Sequence, residues 1–137
     1  MPGGEVRTSA LSGVAVPSVN RVTHMIGFSS CTVLFSDNRA VAYLHGELDA
    51  CSVTCLRMRL APIAMTGRGI VVDLAGLGFM DTAGLIALID LQREATRAGG
   101  SLRLAKPQRP IRRLLKFAGA RDTFAIVDRV PSGSVNA

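Results

Sequence analysis

The segment Gly69–Leu74, GIVVDL, is an almost entirely apolar run bounded by glycines, and it constrains the fold more than any other part of this 137-residue sequence. Such a run is typical of a strand that is covered on both faces of a parallel sheet. A chain of this length can form one domain with a proper core and is too short for two. The sequence therefore predicts a single domain built around a central strand.

Shorter patterns on either side of this run alternate between strands and helices. In chain order we expect strands at 31–35 and 40–46, a helix at 50–64, a strand at 69–74, a helix at 83–98, a strand at 101–105, a helix from Pro110 to Gly119 and a strand at 123–128. The first two strands form a hairpin whose turn contains Asp37 and Asn38. Strands joined by helices pair in parallel, so the order ββαβαβαβ predicts an α/β fold with a mixed, mostly parallel sheet of about five strands.

The first helix shows the clearest periodicity. Val53, Leu56, Leu60 and Ile63 are spaced three, four and three residues apart, which places them on one helical stripe. Asp49 precedes the stripe and is expected to be the N-cap residue. The segments outside the pattern are predicted to be a flexible leader at 1–27 and a tail at 131–137, which leaves a domain at 28–130.

The composition limits the classes of protein to which the chain can belong. Hydrophobic residues make up 48% of the sequence, yet no run approaches the roughly 18 apolar residues of a membrane span. No secretory signal is evident at the start of the chain. Three cysteines in a chain with many aliphatic residues do not indicate a disulfide scaffold. We therefore expect a cytoplasmic protein with reduced thiols and no membrane insertion.

The net charge of +6 raises the question of nucleic-acid binding. More than half of the sixteen basic residues fall between Arg93 and Arg121. The third helix has an apolar stripe and an opposite polar side, with basic residues on the latter: the stripe is Ile111, Leu114, Leu115 and Ala118, and the basic residues are Arg109, Arg112, Arg113 and Lys116. This arrangement is more typical of a solvated helix face than of recognition. No nucleic-acid motif accompanies it, whereas an acidic partner protein would fit it.

Asp81 and Thr82 stand where a strand is expected to end and the second helix to begin. Either side chain can cap the helix by accepting a hydrogen bond from an early backbone N–H. The same position, at the positive end of the helix dipole, also tolerates a phosphate on the Thr82 hydroxyl. Local physics leaves two interpretations open, a helix cap and a modification site.

Four segments together carry a resemblance to a known family. They are GELD at 46–49, VVDLAGLGFMDTAGL at 71–85, GGSLRLAKPQRPIRRLLKFAG at 99–119 and DTFAIVD at 122–128. In this order, over about residues 29–130, they resemble a STAS domain, and most closely the bacterial anti-sigma factor antagonists. The resemblance implies the STAS fold and a regulatory protein that requires neither catalysis nor a cofactor.

The resemblance also implies a partner and a switch. Unmodified members bind an anti-sigma factor that is itself an ATP-binding serine/threonine kinase, and thereby release a sigma factor. The kinase then phosphorylates the hydroxyl residue directly after the aspartate of this turn, here Thr82, and a phosphatase reverses the reaction. The family's commonest form has a serine there and a second hydroxyl residue after it, whereas this chain has Thr82 and then Ala83. The expected partner contacts are Asp49, Asp81, Thr82, Ala83, Gly84 and Leu85.

Other functions and sites stay open on the sequence. A STAS domain can instead be the regulatory subunit of a transporter or of a stress-sensing complex. Cys51 and Cys55 lie one turn apart and, with Met58, are expected opposite the stripe of the first helix, where an intermolecular disulfide or oxidative regulation is a further hypothesis. His45 is the only other candidate ligand nearby, so we expect no metal site. The sequence does not indicate an oligomeric state, and it lacks the motifs of an enzyme.

Overall fold

A computed structural model describes residues 21–26, 29–36 and 38–127. Six strands form one sheet in the order β1-β2-β3-β4-β5-β6. The strands are β1 Arg21–Ile26, β2 Ser29–Phe35, β3 Arg39–Leu48, β4 Gly69–Met80, β5 Ser101–Ala105 and β6 Ala125–Val127, and the helices are α1 Val53–Ala64, α2 Thr82–Arg97 and α3 Arg109–Phe117. Strands β1 to β3 pair antiparallel and β3 to β6 pair parallel, which confirms the predicted fold class.

The flexible leader predicted at 1–27 is wrong over Arg21–Ile26, because this segment pairs with β2 as a sixth strand. Its short sequence has no sustained period, so the sequence pattern does not reveal its pairing with the next strand, in which Ile26 lies opposite Ser29. Residues 1–20 and the tail predicted at 131–137 lie outside the described residues.

The three helices share one apolar core with the same face of the sheet. Leu60 of α1, Leu88 of α2 and Leu115 of α3 are all fully buried in it. Along β4, Ile70 and Val72 point into this core, whereas Val71 belongs to a small cluster on the opposite face. Alternate residues of a strand point to opposite faces, so β4 is covered on both sides, as its apolar sequence predicts.

Two local expectations about the helices are corrected. Helix α1 has Ser52 as its N-cap residue instead of Asp49, which lies three residues earlier in the preceding turn. Ala118 is the C-cap residue of α3 and is exposed, so it does not extend the buried stripe of that helix. The other stripe residues are buried or half-buried as expected.

One buried charge lies in the sheet. Asp73 of β4 is 3% exposed, and its carboxylate accepts a hydrogen bond from the Ala75 backbone N–H at 2.9 Å. The Lys106 ammonium lies 3.2 Å from the same carboxylate, directly after β5. Lys106 has a left-handed φ of 55°, a conformation that costs free energy in a non-glycine residue. The ion pair with Asp73 offsets part of that cost.

Replacing Lys106 by methionine leaves the Asp73 carboxylate buried without its counter-ion. We expect the free energy of unfolding to fall by roughly 1–3 kcal/mol, less than for a fully buried pair because the lysine end is partly solvated. Urea unfolding measures this change. Arg93→Met, at an exposed position of α2, is the control and is expected to stay within about 0.5 kcal/mol of wild type.

Candidate functional site

The loops that follow β3 and β4 lie side by side. The two strands pair in parallel up to Leu48 opposite Met80, with two register shifts along the way. Beyond that pair, the Asp81 backbone N–H donates to the Leu48 carbonyl at 3.1 Å. Neighbouring strands are about 4.8 Å apart, so the residues that follow them are also neighbours. The structure therefore brings Asp49 and Asp81–Thr82 to the same edge of the sheet.

Asp81 is the residue that caps α2. Its backbone is extended, and its Oδ1 accepts a hydrogen bond from the Gly84 backbone N–H at 3.0 Å. Thr82 is the first residue of the helix, and its hydroxyl makes no hydrogen bond to another described residue. Of the two caps that the sequence leaves open, the structure uses Asp81. The Thr82 hydroxyl has no part in capping.

Gly84 allows the start of α2 to pack closely against the end of β3. A Cβ atom at this position would lie 2.7 Å from the Leu48 carbonyl oxygen and 2.9 Å from carbon atoms of Leu48 and Met80. Real Cβ atoms do not approach other atoms so closely, and the obstacle includes backbone. The turn between β4 and α2 therefore requires glycine at this position for reasons of space.

Asp49 is held by a network of hydrogen bonds in the turn before α1. Its Oδ1 accepts from the backbone N–H groups of Cys51 at 3.0 Å and of Ser52 at 3.2 Å. The Ser52 hydroxyl, which is buried, donates to the Glu47 carbonyl at 3.0 Å and accepts from the Asp49 N–H at 3.0 Å. A half-buried carboxylate is thus fixed next to the loop that contains Thr82.

Exposure divides the expected contact residues into two groups. Thr82 is exposed and Asp49, Asp81 and Ala83 are half-buried, whereas Gly84 and Leu85 are buried. Leu85 is only 4% exposed and belongs to the core. Gly84 and Leu85 therefore position the turn, and the surface open to a partner consists of the other four residues.

Two large exposed apolar side chains near this turn are not among the expected contacts. Phe79, near the end of β4, is 46% exposed, and Ile86 of α2 is 52% exposed. Residues four apart on a helix lie on the same face, so Ile86 is next to Thr82. The spacing of four residues could have revealed this neighbour. We call Asp49, Asp81, Thr82, Ala83 and Ile86 the switch face. Phe79 precedes Met80, which belongs to the core with the helices, so Phe79 points to the opposite side of the sheet.

The cysteines are arranged differently from the expectation. Cys51 is exposed, but Cys55 is half-buried and lines a small cavity together with the buried Cys31 of β2. Burial raises the pKa of the Cys31 thiol to about 11, although nearby Arg59 acts in the opposite direction. Burial also raises the pKa of the Cys55 thiol. The redox role predicted for Cys51 and Cys55 stays a prediction. The thiol that shares the cavity with Cys55 is that of Cys31 on β2.

Within 21–26, 29–36 and 38–127, no group of three or more His, Cys, Asp or Glu residues is arranged to hold a metal ion. Over the same ranges, no helix has the length and apolarity that crossing a membrane requires.

Comparisons with known proteins agree with this geometry. The model of the STAS domain family matches residues 31–133. The anti-sigma-B factor antagonist of Bacillus subtilis (strain 168) is 28% identical over 98 residues, which cover 72% of this chain and 90% of the relative. Among solved structures, an anti-sigma factor antagonist from Mycobacterium paratuberculosis has a TM-score of 0.62 at 19% identity, covering 85% of this chain and 91% of that one. Phosphorylated SpoIIAA, a Bacillus cell fate determinant, has a TM-score of 0.54 at 22% identity, covering 78% and 90%.

The structure is a small α/β domain that presents an exposed hydroxyl, that of Thr82, at the start of α2. The chain belongs to the STAS domain family. The relative in Bacillus subtilis and the Mycobacterium paratuberculosis structure are anti-sigma factor antagonists. The other solved structure is the cell fate determinant SpoIIAA.

Substituting Gly84 by alanine tests the packing of the turn. The added Cβ must displace the Leu48 carbonyl or the start of α2, so we expect a loss of about 1–3 kcal/mol in the free energy of unfolding. Gly78→Ala is a matched control, because a Cβ at position 78 meets no atom within 4 Å. Equal losses in the two variants, measured by urea unfolding, would contradict this account of Gly84.

The thiols are expected to differ in their rates of alkylation by iodoacetamide. The reactive form is the thiolate, so the raised pKa values of Cys31 and Cys55 slow their reaction at pH 8, whereas Cys51 is exposed. We expect Cys51 to be modified first and Cys31 last, with the rate for Cys55 rising as the pH approaches its raised pKa. Peptide mass spectrometry over time measures this order, and faster labelling of Cys31 than of Cys51 would refute it.

Proposed function

We propose that this protein is an anti-sigma factor antagonist whose binding is switched by reversible phosphorylation of Thr82. In the unmodified state it binds an anti-sigma factor of the ATP-binding serine/threonine kinase type, and the sigma factor is released. The kinase then phosphorylates Thr82 and the complex dissociates until a phosphatase removes the phosphate. The observation that carries the proposal is the exposed Thr82 hydroxyl, which has no hydrogen bond to a described residue and directly follows the capping Asp81.

Support for Thr82 as the acceptor comes from its neighbours in the turn. Ala83 has no hydroxyl, and the next residues, Gly84 and Leu85, are buried. The carboxylate of Asp81 accepts a hydrogen bond from the Gly84 N–H, so the helix cap does not depend on the Thr82 hydroxyl. A kinase that docks on this turn therefore meets one acceptor.

Electrostatics explains how a phosphate on Thr82 would exchange partners. At neutral pH it adds a charge of about −1.5 to −2 next to the carboxylates of Asp49 and Asp81. The N-terminus of α2 stabilises that charge within the protein itself, since a helix dipole is positive at this end. A partner that binds the neutral turn must instead desolvate the phosphate or accommodate its repulsion. Binding is weakened while the fold is retained.

The apolar part of the switch face explains how the unmodified form binds. Ile86 exposes a large apolar side chain, and burying it against a partner is favourable. Thr82 lies one turn before Ile86 on the same helix face. A hydrated phosphate on Thr82 therefore lies within the area that must lose water when the partner binds. On this face, the charge of a phosphate opposes the burial of the neighbouring apolar side chain.

The experiment uses the anti-sigma factors of the kinase type encoded by the source organism. Each is incubated with this protein and ATP, complexes are detected by calorimetry, and any phosphate is located by peptide mass spectrometry. We expect one such kinase to bind and to modify Thr82 alone. Thr82→Glu is expected to bind roughly a hundredfold more weakly, equivalent to about 2.7 kcal/mol, and Thr82→Ala to stay bound in the presence of ATP.

Thr123→Ala is the matched control, because Thr123 is also exposed and lies after α3, away from the turn. It should be phosphorylated and released like the wild type. A phosphate on another residue would refute the Thr82 switch and leave the antagonist function standing. Failure to bind any anti-sigma factor, together with copurification with a membrane transporter, would favour the alternative of a transporter's regulatory subunit.

A further inference from the structure

A groove of about 390 Å³ is bordered by α3 and by Arg121 and Ile126, which follow the helix in the chain. Its walls are cationic, with Arg109, Arg112, Arg113 and Lys116 from the helix and Arg121 from the segment that follows, and Leu115 and Ile126 supply apolar atoms. An adjoining hollow shares Lys116 and Arg121 with the groove and includes Asp122. The basic residues are therefore gathered around a concave surface with a carboxylate at one end.

Several charges of α3 oppose the usual preferences of a helix, although Lys116 in its last turn follows them. Its first turn contains no acidic residue and begins with Arg109, although the helix dipole favours negative charge there. Arg109 and Arg113, like Arg112 and Lys116, are four residues apart, a spacing at which like charges repel. The burial of Ile111 and Leu115 holds the helix in place in spite of this repulsion. Stability alone does not explain such a sequence.

Apart from Asp122 at one end, no acidic residue of the described chain lines the groove or the adjoining hollow. The ion pairs found in the described part of the chain are Arg57 with Glu94 and Lys106 with Asp73, and none of the five cationic groove residues takes part. Departures from local rules of stability in natural proteins commonly mark functional positions. An anion from solution would relieve the repulsion within α3.

Part of the groove is already oriented for binding. The Nε of Arg112 donates to the Pro107 carbonyl at 3.0 Å, which fixes the plane of its guanidinium and leaves its terminal nitrogens available. Arg121 follows Ala120, whose N–H donates to the Leu115 carbonyl at 2.8 Å and whose carbonyl accepts from Thr123 at 3.1 Å. Arginines on a held backbone lose less conformational freedom when they bind.

We propose that this groove binds a small soluble anion with two or more phosphate groups. Planar guanidinium groups bind phosphate oxygens through paired hydrogen bonds, and several of them around one concavity suit several phosphates. A nucleic-acid strand is less well matched, because Phe117 is the one aromatic side chain of α3. A membrane surface is also less well matched, since the apolar stripe of α3 is buried in the core. This site goes beyond the proposed binding of an anti-sigma factor.

Calorimetric titration of the full chain with sodium tripolyphosphate tests the proposal. We expect saturable binding at one site, weaker binding of inorganic phosphate, and a loss of affinity between 50 and 200 mM salt. Arg113→Glu and Arg121→Glu are each expected to reduce the affinity at least about tenfold, because each reverses a charge that faces the ligand. Arg93→Glu makes the same change of net charge at an exposed position of α2, outside the groove, and should bind as the wild type does.

Three results would overturn the proposal. One is the absence of saturable binding to wild type, and another is an equal loss of affinity in Arg93→Glu, which would reveal a general effect of net charge. The third is tighter binding of duplex DNA or of phosphatidylglycerol vesicles that depends on Arg113 and Arg121, because the groove would then serve a macromolecular surface. Circular dichroism of each variant ensures that a lost signal does not come from unfolding.

Discussion

The backbone carbonyl of Leu48 holds the functional end of this domain together. It accepts the hydrogen bond of the Asp81 N–H at 3.1 Å, and it lies so close to Gly84 that no side chain fits there. The same carbonyl therefore aligns the end of β4 with that of β3 and brings the start of α2 against the sheet. The switch face depends on this alignment, because Asp49 follows one strand and Thr82 follows the other.

The central part of the fold could be predicted because its signals are local. The run Gly69–Leu74 is apolar except for Asp73, and β5 matches its predicted bounds at Ser101–Ala105. The missing information concerned strand pairing, both with an adjacent strand and with a more distant one. Strand β1 is stabilised by pairing with β2, and β4 continues past Gly76 and Gly78 to Met80 because β3 pairs alongside it. Glycines in the sequence indicate a strand end, whereas the neighbouring strand determines where pairing stops.

The position of the site in the sequence could be predicted better than the arrangement of its side chains. Asp81 and Thr82 were expected at the helix start, but the choice of the capping residue depends on the backbone conformation of Asp81, which the sequence does not show. The sequence also does not show which residues after Thr82 are buried. Gly84 and Leu85 are buried, whereas Ile86 is exposed. The basic groove illustrates a third limit. Helical spacing groups the four basic residues of α3, but only the fold adds Arg121 to them.

At the start of α2, two different residues cap the helix and present the exposed hydroxyl. Asp81 is the cap, and Thr82 carries the hydroxyl. Hydroxyl residues at the starts of helices frequently contribute to stability, and modifying such a residue would change the folded structure together with the surface. Here the aspartate carries the structural task, and the threonine beside it is left without one. Under the proposed switch, that surface position can therefore be modified and restored repeatedly without refolding of the domain.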